Sequence, residues 1–117
     1  MKNQELRDRT KHFALRVIKM YCALPKSTEA QVIGKLVLRS GTSVAATYRE
    51  ASRARSDPEL ISKLGIVEQE LDETLLWFEL LVESKIVTSA RMIKLQQEAD
   101  ELIRIMVTAI KRTKSRR

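Results

Sequence analysis

Both prolines of this sequence lie in short polar stretches, "LPKST" at residues 24–28 and "RSDPEL" at 55–60, and a third polar break, "SKIVTSA" at 84–90, follows at nearly the same interval. Proline lacks a backbone N–H and clashes with the preceding turn, so a helix can start at a proline but does not run through it. Only three glycines occur in the 117 residues, and the segments between the breaks therefore read as uninterrupted helices over 3–24, 28–55, 58–85 and 88–113. Helices of about 26 residues are roughly 40 Å long, and long helices joined by short connections pack as antiparallel neighbours. The expected fold is all-α, a single antiparallel up-down four-helix bundle over residues 1–113 with a basic tail at 114–117.

Each break offers a helix start. Ser27 or Thr28 can cap the second helix, with Gln31 placed three residues after Thr28 as in a capping box. Asp57 is the expected N-cap of the third, with Pro58 in the first helical position and Glu59 favourable at the positive end of the dipole. Thr88 is placed to cap the fourth.

Apolar spacing supports the same division. Phe13, Val17, Met20 and Leu24 recur at steps of four and three, and Leu60, Leu64, Val67, Leu71, Phe78 and Leu81 make a longer stripe. Leu95, Leu102, Ile105, Val107 and Ile110 form the seam expected on the last helix, with Met106 filling core beside it. The third helix carries more apolar surface than one seam needs: Ile66, Trp77 and Leu80 point away from the Leu64–Leu71 face. That surplus predicts a second buried surface, a contact between copies of the chain.

With 44% hydrophobic residues the chain is too apolar for disorder. It lacks any apolar run near the roughly 20 residues of a membrane span, and its charged start is not followed by a signal-peptide core. A cytoplasmic protein is expected. The one cysteine, Cys22, has no metal-ligand spacing around it and is read as a small core residue.

The stretch "RSGTSVAATYREASRAR" at 39–55 decides between two architectures. Gly41 could be the turn of a helix-turn-helix, with "SVAATYREASRAR" as a DNA-reading helix. The seam from Ile33 and Val37, however, continues in phase onto Ser40, Val44, Thr47 and Ala51, which places small residues on the core face of one unbroken helix. Small residues let helix axes approach, and Ser40, Ser43 and Thr47 can bond to carbonyls three or four residues back.

"LRSGTSVAATYREASRARSDPELISKLGIVEQELDETLLWFELL" resembles the signature region of the bacterial four-helix-bundle family encoded within intervening sequences of 23S ribosomal RNA genes. That family also includes relatives of the accessory variability proteins of diversity-generating retroelements. The elements that carry the resemblance are Arg39-Ser40, Ser43-Val44-Ala45-Ala46, Arg49-Glu50-Ala51 and Arg55-Ser56, then Glu70, Glu73-Thr74, Trp77-Phe78 and Leu80-Leu81. Many family members have Asn and Gly where this chain has Thr47 and Ala51. The resemblance implies a bundle that assembles into a ring, a pentamer, and implies no established enzymatic activity; no cofactor is expected, and a reverse transcriptase is a candidate partner.

Charge indicates what such a ring would touch. The segments 1–25, 26–56, 57–87 and 88–117 carry +4, +4, −6 and +5, within a net +7. The acidic third helix is expected to pair with basic neighbours within or between subunits. "KRTKSRR" puts five positive charges in the last seven residues, and Arg49, Arg53 and Arg55 cluster at the end of the second helix. Phosphates are the natural partners of such clusters. The candidate nucleic-acid contacts are Arg49, Arg53, Arg55, Lys111, Arg112, Lys114, Arg116 and Arg117, with RNA favoured; a protein-binding scaffold with no nucleic-acid role is the alternative.

An enzyme is disfavoured. "RDRTKH" at 7–12 fits an Arg–His pattern of all-helical ribonucleases, but positions five apart lie about 140° round a helix, so His12 is expected to face solvent. The pairs Glu70/Glu73 and Asp72/Glu73 have no His or Cys beside them and read as salt-bridge partners rather than a metal site.

Overall fold

The structure, a computed structural model, describes residues 3–116. It consists of α1 (Asn3–Cys22), α2 (Thr28–Ala51), α3 (Asp57–Glu83) and α4 (Ser89–Ser115). Each helix packs on its neighbour in sequence and α1 closes against α4, less closely than the other pairs. The result is an antiparallel up-down four-helix bundle measuring 49 × 20 × 19 Å. None of the described helices is long and apolar enough to cross a membrane.

Side-chain caps start three of the helices. Ser27 accepts a bond from the Ala30 N–H at 3.4 Å, Ser56 from Glu59 at 3.2 Å and Thr88 from Arg91 at 3.3 Å. Ser56, with extended backbone, therefore caps α3 in place of the expected Asp57. Asp57 moves into the first turn, where its carboxylate faces the positive dipole end and meets Arg116 at 3.1 Å. Gln31 does not close a capping box; it donates to the Pro25 carbonyl at 2.8 Å and ties down the α1–α2 turn.

Helix α2 ends at Ala51, short of the expected 55. Its exit tightens to three-residue bonds, Arg53 N–H to Glu50 and Ala54 N–H to Ala51, both 3.1 Å, which winds up the helix before Ser56 can cap the next. At the far end Lys85 adopts φ 65°, donating to Val82 at 2.9 Å while Ile86 donates to Leu81 at 3.0 Å. This left-handed closure satisfies the last carbonyls of α3 and turns Ile86 back towards the bundle. Helix α4 runs to Ser115, so Lys114 is helical.

The seams on α1, α2 and α3 lie where periodicity places them, and Phe13, Val17, Val37, Val44, Leu71, Phe78 and Leu81 are fully buried. Phe13 and Phe78 meet edge to face, centroids 6.4 Å apart, joining α1 to α3 through the bundle centre. On α4 the buried line is Met92, Leu95, Ala99, Leu102 and Met106, while Ile105, Val107 and Ile110 are only partly covered. Met106, four residues after Leu102, stays in phase with the seam, and the flanking β-branched residues wall its sides. Cys22 is exposed, contrary to the core role expected: five residues past Val17 puts it about 140° round α1 from the seam.

Ser40, Val44, Thr47 and Ala51 all face the core of an unbroken α2, so the helix-turn-helix reading fails at Gly41. Buried hydroxyls are satisfied locally: Thr10, Thr74 and Thr113 each donate to the carbonyl four residues back at 2.7–2.8 Å. Ser40 shares a 2.8 Å bond with Thr74, linking α2 to α3. Thr42, rather than Ser43, takes the backbone bond, to Leu38 at 2.7 Å.

Two glycines predict opposite responses to one substitution. A Cβ on Gly41 would stand 2.9 Å from both methyls of Val17, a fully buried, β-branched side chain that cannot rotate away. One on Gly65 would meet nothing within 4 Å. Alanine gains about 1 kcal/mol over glycine in a helix interior, whereas overpacking a core costs about 1–3 kcal/mol. In urea denaturation Gly65→Ala should raise the unfolding midpoint and Gly41→Ala should lower it.

Candidate nucleic-acid interface and the α2–α3 face

Up-down topology places the start of α1, the α2–α3 connection and the end of α4 at the same end of the bundle. Two contacts fix this: Tyr48 donates to Asn3 at 3.3 Å, and Arg116 pairs with Asp57 at 3.1 Å. The two basic clusters, about sixty residues apart in sequence, therefore share one end. Arg49 stands in the last turn of α2, and Arg112 and Lys114 in the last turn of α4. Arg53 and Arg55 lie in the connection after α2, not on the helix.

Carboxylates neutralise only part of this end. Lys63 pairs with Glu50 at 2.7 Å, which holds its pKa above the usual lysine value, and Arg104 pairs with Asp100 at 2.9 Å. The side chains of Arg49, Arg53, Arg55, Lys111, Arg112 and Lys114 are in no salt bridge among the described residues, although the Arg55 backbone N–H donates to the Glu59 carboxylate at 3.0 Å. Arg116 spends its charge on Asp57, and Arg117 lies outside the described residues.

Lys11 joins the set from α1. With Arg49 and Arg53 it borders a shallow depression of about 530 Å³ lined also by Ala45, Ala46 and Glu50, the last paired with Lys63. A second cleft, about 500 Å³, opens between Leu6, Tyr48, Leu60, Arg112 and Arg116. Burial, opposed by the charge of Arg7, pushes the Tyr48 phenol up. His12 is exposed on α1, the solvent-facing position expected of it. The described residues contain no group of three His, Cys, Asp or Glu that could hold a metal.

Other residues of the family signature meet on a different surface. Arg39, Ser40, Ser43, Glu70, Glu73, Trp77 and Leu36 line a groove of about 370 Å³ between α2 and α3. Trp77 is half-buried there, and Ile66 and Leu80, on the same side of α3, are each 38% exposed. Neither Glu70 nor Glu73 is in a salt bridge among the described residues; of the carboxylates on acidic α3, Asp57 alone is paired there. Burial pushes the Glu70 carboxyl up, the neighbouring Thr47 hydroxyl opposes this, and the charges of Glu73 and Glu50 reinforce it. One oxygen of Glu70 is buried without a partner.

A carboxyl with its folded-state pKa raised loses stability as pH rises through that pKa, because the ionised form is the disfavoured one. Glu70→Gln should therefore raise the thermal midpoint at pH 7. The gain should vanish below the ordinary carboxylate pKa, where both folded and unfolded chains are protonated. Melting curves of the two proteins from pH 3.5 to 7.5 check this.

A family model described as the 23S rRNA-intervening sequence protein matches residues 2–108. The crystal structure of a protein of unknown function from the S23 ribosomal protein family of Bacteroides thetaiotaomicron VPI-5482 superposes with a TM-score of 0.88 and 33% identity, over 95% of this chain and 99% of that one. No curated protein is similar enough to this chain to match it. On its sequence match, its four-helix architecture and its likeness to that structure over nearly the whole length of both chains, the protein belongs to the 23S rRNA-intervening sequence protein family.

Proposed function

We propose that this protein is a non-enzymatic, ring-forming nucleic-acid-binding protein of the cytoplasm, with RNA the favoured partner, serving as an accessory to an RNA element or its reverse transcriptase. The observation that carries the proposal is the meeting of two sequence-distant basic clusters at one end of the bundle, with six cations there unpaired among the described residues. Backbone phosphates spaced along a nucleic acid suit such a surface, and a ring repeats it, so that modest sites combine. The family's description, an intervening sequence of 23S rRNA, fits an RNA partner. Base-specific readout is not proposed, since of the five aromatics Phe13, Tyr48 and Phe78 are buried and Tyr21 and Trp77 are partly buried against the core.

Ring formation draws on the α2–α3 face. Leu36 shares the groove with half-buried Trp77, Ile66 and Leu80 are exposed on the same side of α3, and the carboxylates of α3 left without partners complement the basic faces of other helices. Such complementarity between unlike surfaces makes a head-to-tail contact, which closes into a ring; a pentamer is the form proposed. The same apolar face would serve the alternative, an oligomeric scaffold that binds protein alone. Titrating a labelled structured RNA at rising salt separates the two. Phosphate binding gives log affinity falling linearly with log salt, by about 0.9 per contact on duplex DNA and about 0.7 on single strands. A scaffold gives no saturable binding.

A further inference from the structure

The opposite end of the bundle holds a feature that the nucleic-acid reading does not use. Between α1 and α4, where the two turns of that end meet, lies a cleft of about 550 Å³. Its floor is aliphatic, formed by Leu24, Ile86, Val87 and Leu95, with Met20 beside them. Arg16 and Lys19 rim it from α1, and Arg91 and Lys94 from α4. No acidic residue lines it, and none of the four cations is in a salt bridge among the described residues.

We infer that this cleft binds a small anionic amphiphile: an aliphatic body on the floor and a carboxylate or phosphate head between the cations of α1 and α4. The volume falls within the range of small-molecule sites, which are mainly apolar with a few placed polar groups. A nucleic acid is a poor occupant, because its phosphates would engage the four cations but leave the aliphatic floor unfilled, and the lining holds no aromatic side chain on which a base could stack. A membrane surface is a poor one too. Peripheral binding inserts a protruding apolar face into the lipid, and here the apolar residues lie at the bottom of a concavity. The source assigned is therefore a free amphiphile rather than a headgroup in a bilayer. The left-handed turn at Lys85 and the Gln31–Pro25 bond set the two turns that bound the floor. Helix α4 begins there with no acidic residue in its first turn, so its dipole adds to the field of the four side chains.

Octanoate, decanoate and dodecanoate, each below its micelle-forming concentration, are the probes, with methyl signals of Ile86, Val87 and Leu95 as the NMR readout. Buried chains should bind about two- to fourfold more tightly for each added methylene. Dodecanol should bind at least tenfold more weakly than dodecanoate, and Lys19→Glu with Arg91→Glu should weaken dodecanoate at least tenfold with the melting temperature little changed. Affinity independent of chain length, equal binding of dodecanol, or full binding by the double variant overturns the inference. So does a response at Ile66 and Leu80 of the α2–α3 face in place of the cleft. Co-sedimentation with anionic phospholipid vesicles without binding of free dodecanoate overturns the assignment to a free amphiphile. RNA titration of the same double variant keeps the two proposals apart, since RNA affinity should be unchanged.

Discussion

Replacing Arg49, Arg53, Arg55, Lys111, Arg112 and Lys114 together by alanine should reduce RNA affinity on the order of a thousandfold or more at low salt and flatten its salt dependence. If each side chain holds one phosphate, the slope of log affinity against log salt falls by about 4 on single strands and about 5 on duplex. Alanine keeps the ends of α2 and α4 helical, and the lost charge–dipole contribution is about 0.3–1 kcal/mol per residue at the last turns, so the bundle should remain folded. Replacing Arg49, Arg53 and Arg55 alone, or the three α4 residues alone, should give roughly half the change in slope each, because both sets face the same end. Removing the four cations at the other end, Arg16, Lys19, Arg91 and Lys94, should leave the slope nearly as it was. Fluorescence anisotropy at four or five salt concentrations measures all of these.

Trp77→Glu should convert the assembly to monomers. Trp77 sits half-buried in the α2–α3 groove beside Glu70 and Glu73, so a third carboxylate there meets two like charges as well as losing the indole. Leaving a charge unpaired in an interface costs about 3–5 kcal/mol, a loss of several hundredfold or more in association per contact. Light scattering should then report the 13.4 kDa of a single chain where the unsubstituted protein reports a multiple of it. Helicity by circular dichroism should hold, because the bundle core of Phe13, Leu71 and Phe78 is untouched. A monomeric unsubstituted protein would remove the ring from the account.

Periodicity made the architecture legible because it depends only on local chemistry. The seam through Ser40, Val44, Thr47 and Ala51 is visible as a phase that Gly41 does not disturb, and Thr88 is visible as a cap before an apolar run. What escaped is what neighbours decide. Ser56 and Asp57 are both good caps, and the choice between them rests on the backbone Ser56 adopts and on Arg116 arriving from α4. Thr10 and Thr113 look like surface residues until their hydroxyls find carbonyls one turn back. Lys11 belongs with Arg49 and Arg53 only because α1 lies against α2. The expected salt bridges of Glu70 and Glu73 are absent among the described residues, although Arg39 of α2 lines the same groove; sharing a groove does not bring the charged ends within pairing distance. The cleft rimmed by Arg16, Lys19, Arg91 and Lys94 draws on segments seventy residues apart, and no sequence window contains both.

The central claim is a location: nucleic acid lies across the end of the bundle where α2 and α4 finish. Ultraviolet crosslinking of a bound structured RNA, followed by mass spectrometric identification of the attached peptides, reads that location directly. Crosslinks concentrated in residues 48–57 and 108–116, with Lys11 the outlying contact on α1, are the predicted result. Crosslinks concentrated in residues 86–95, or none above an unirradiated control, would contradict it.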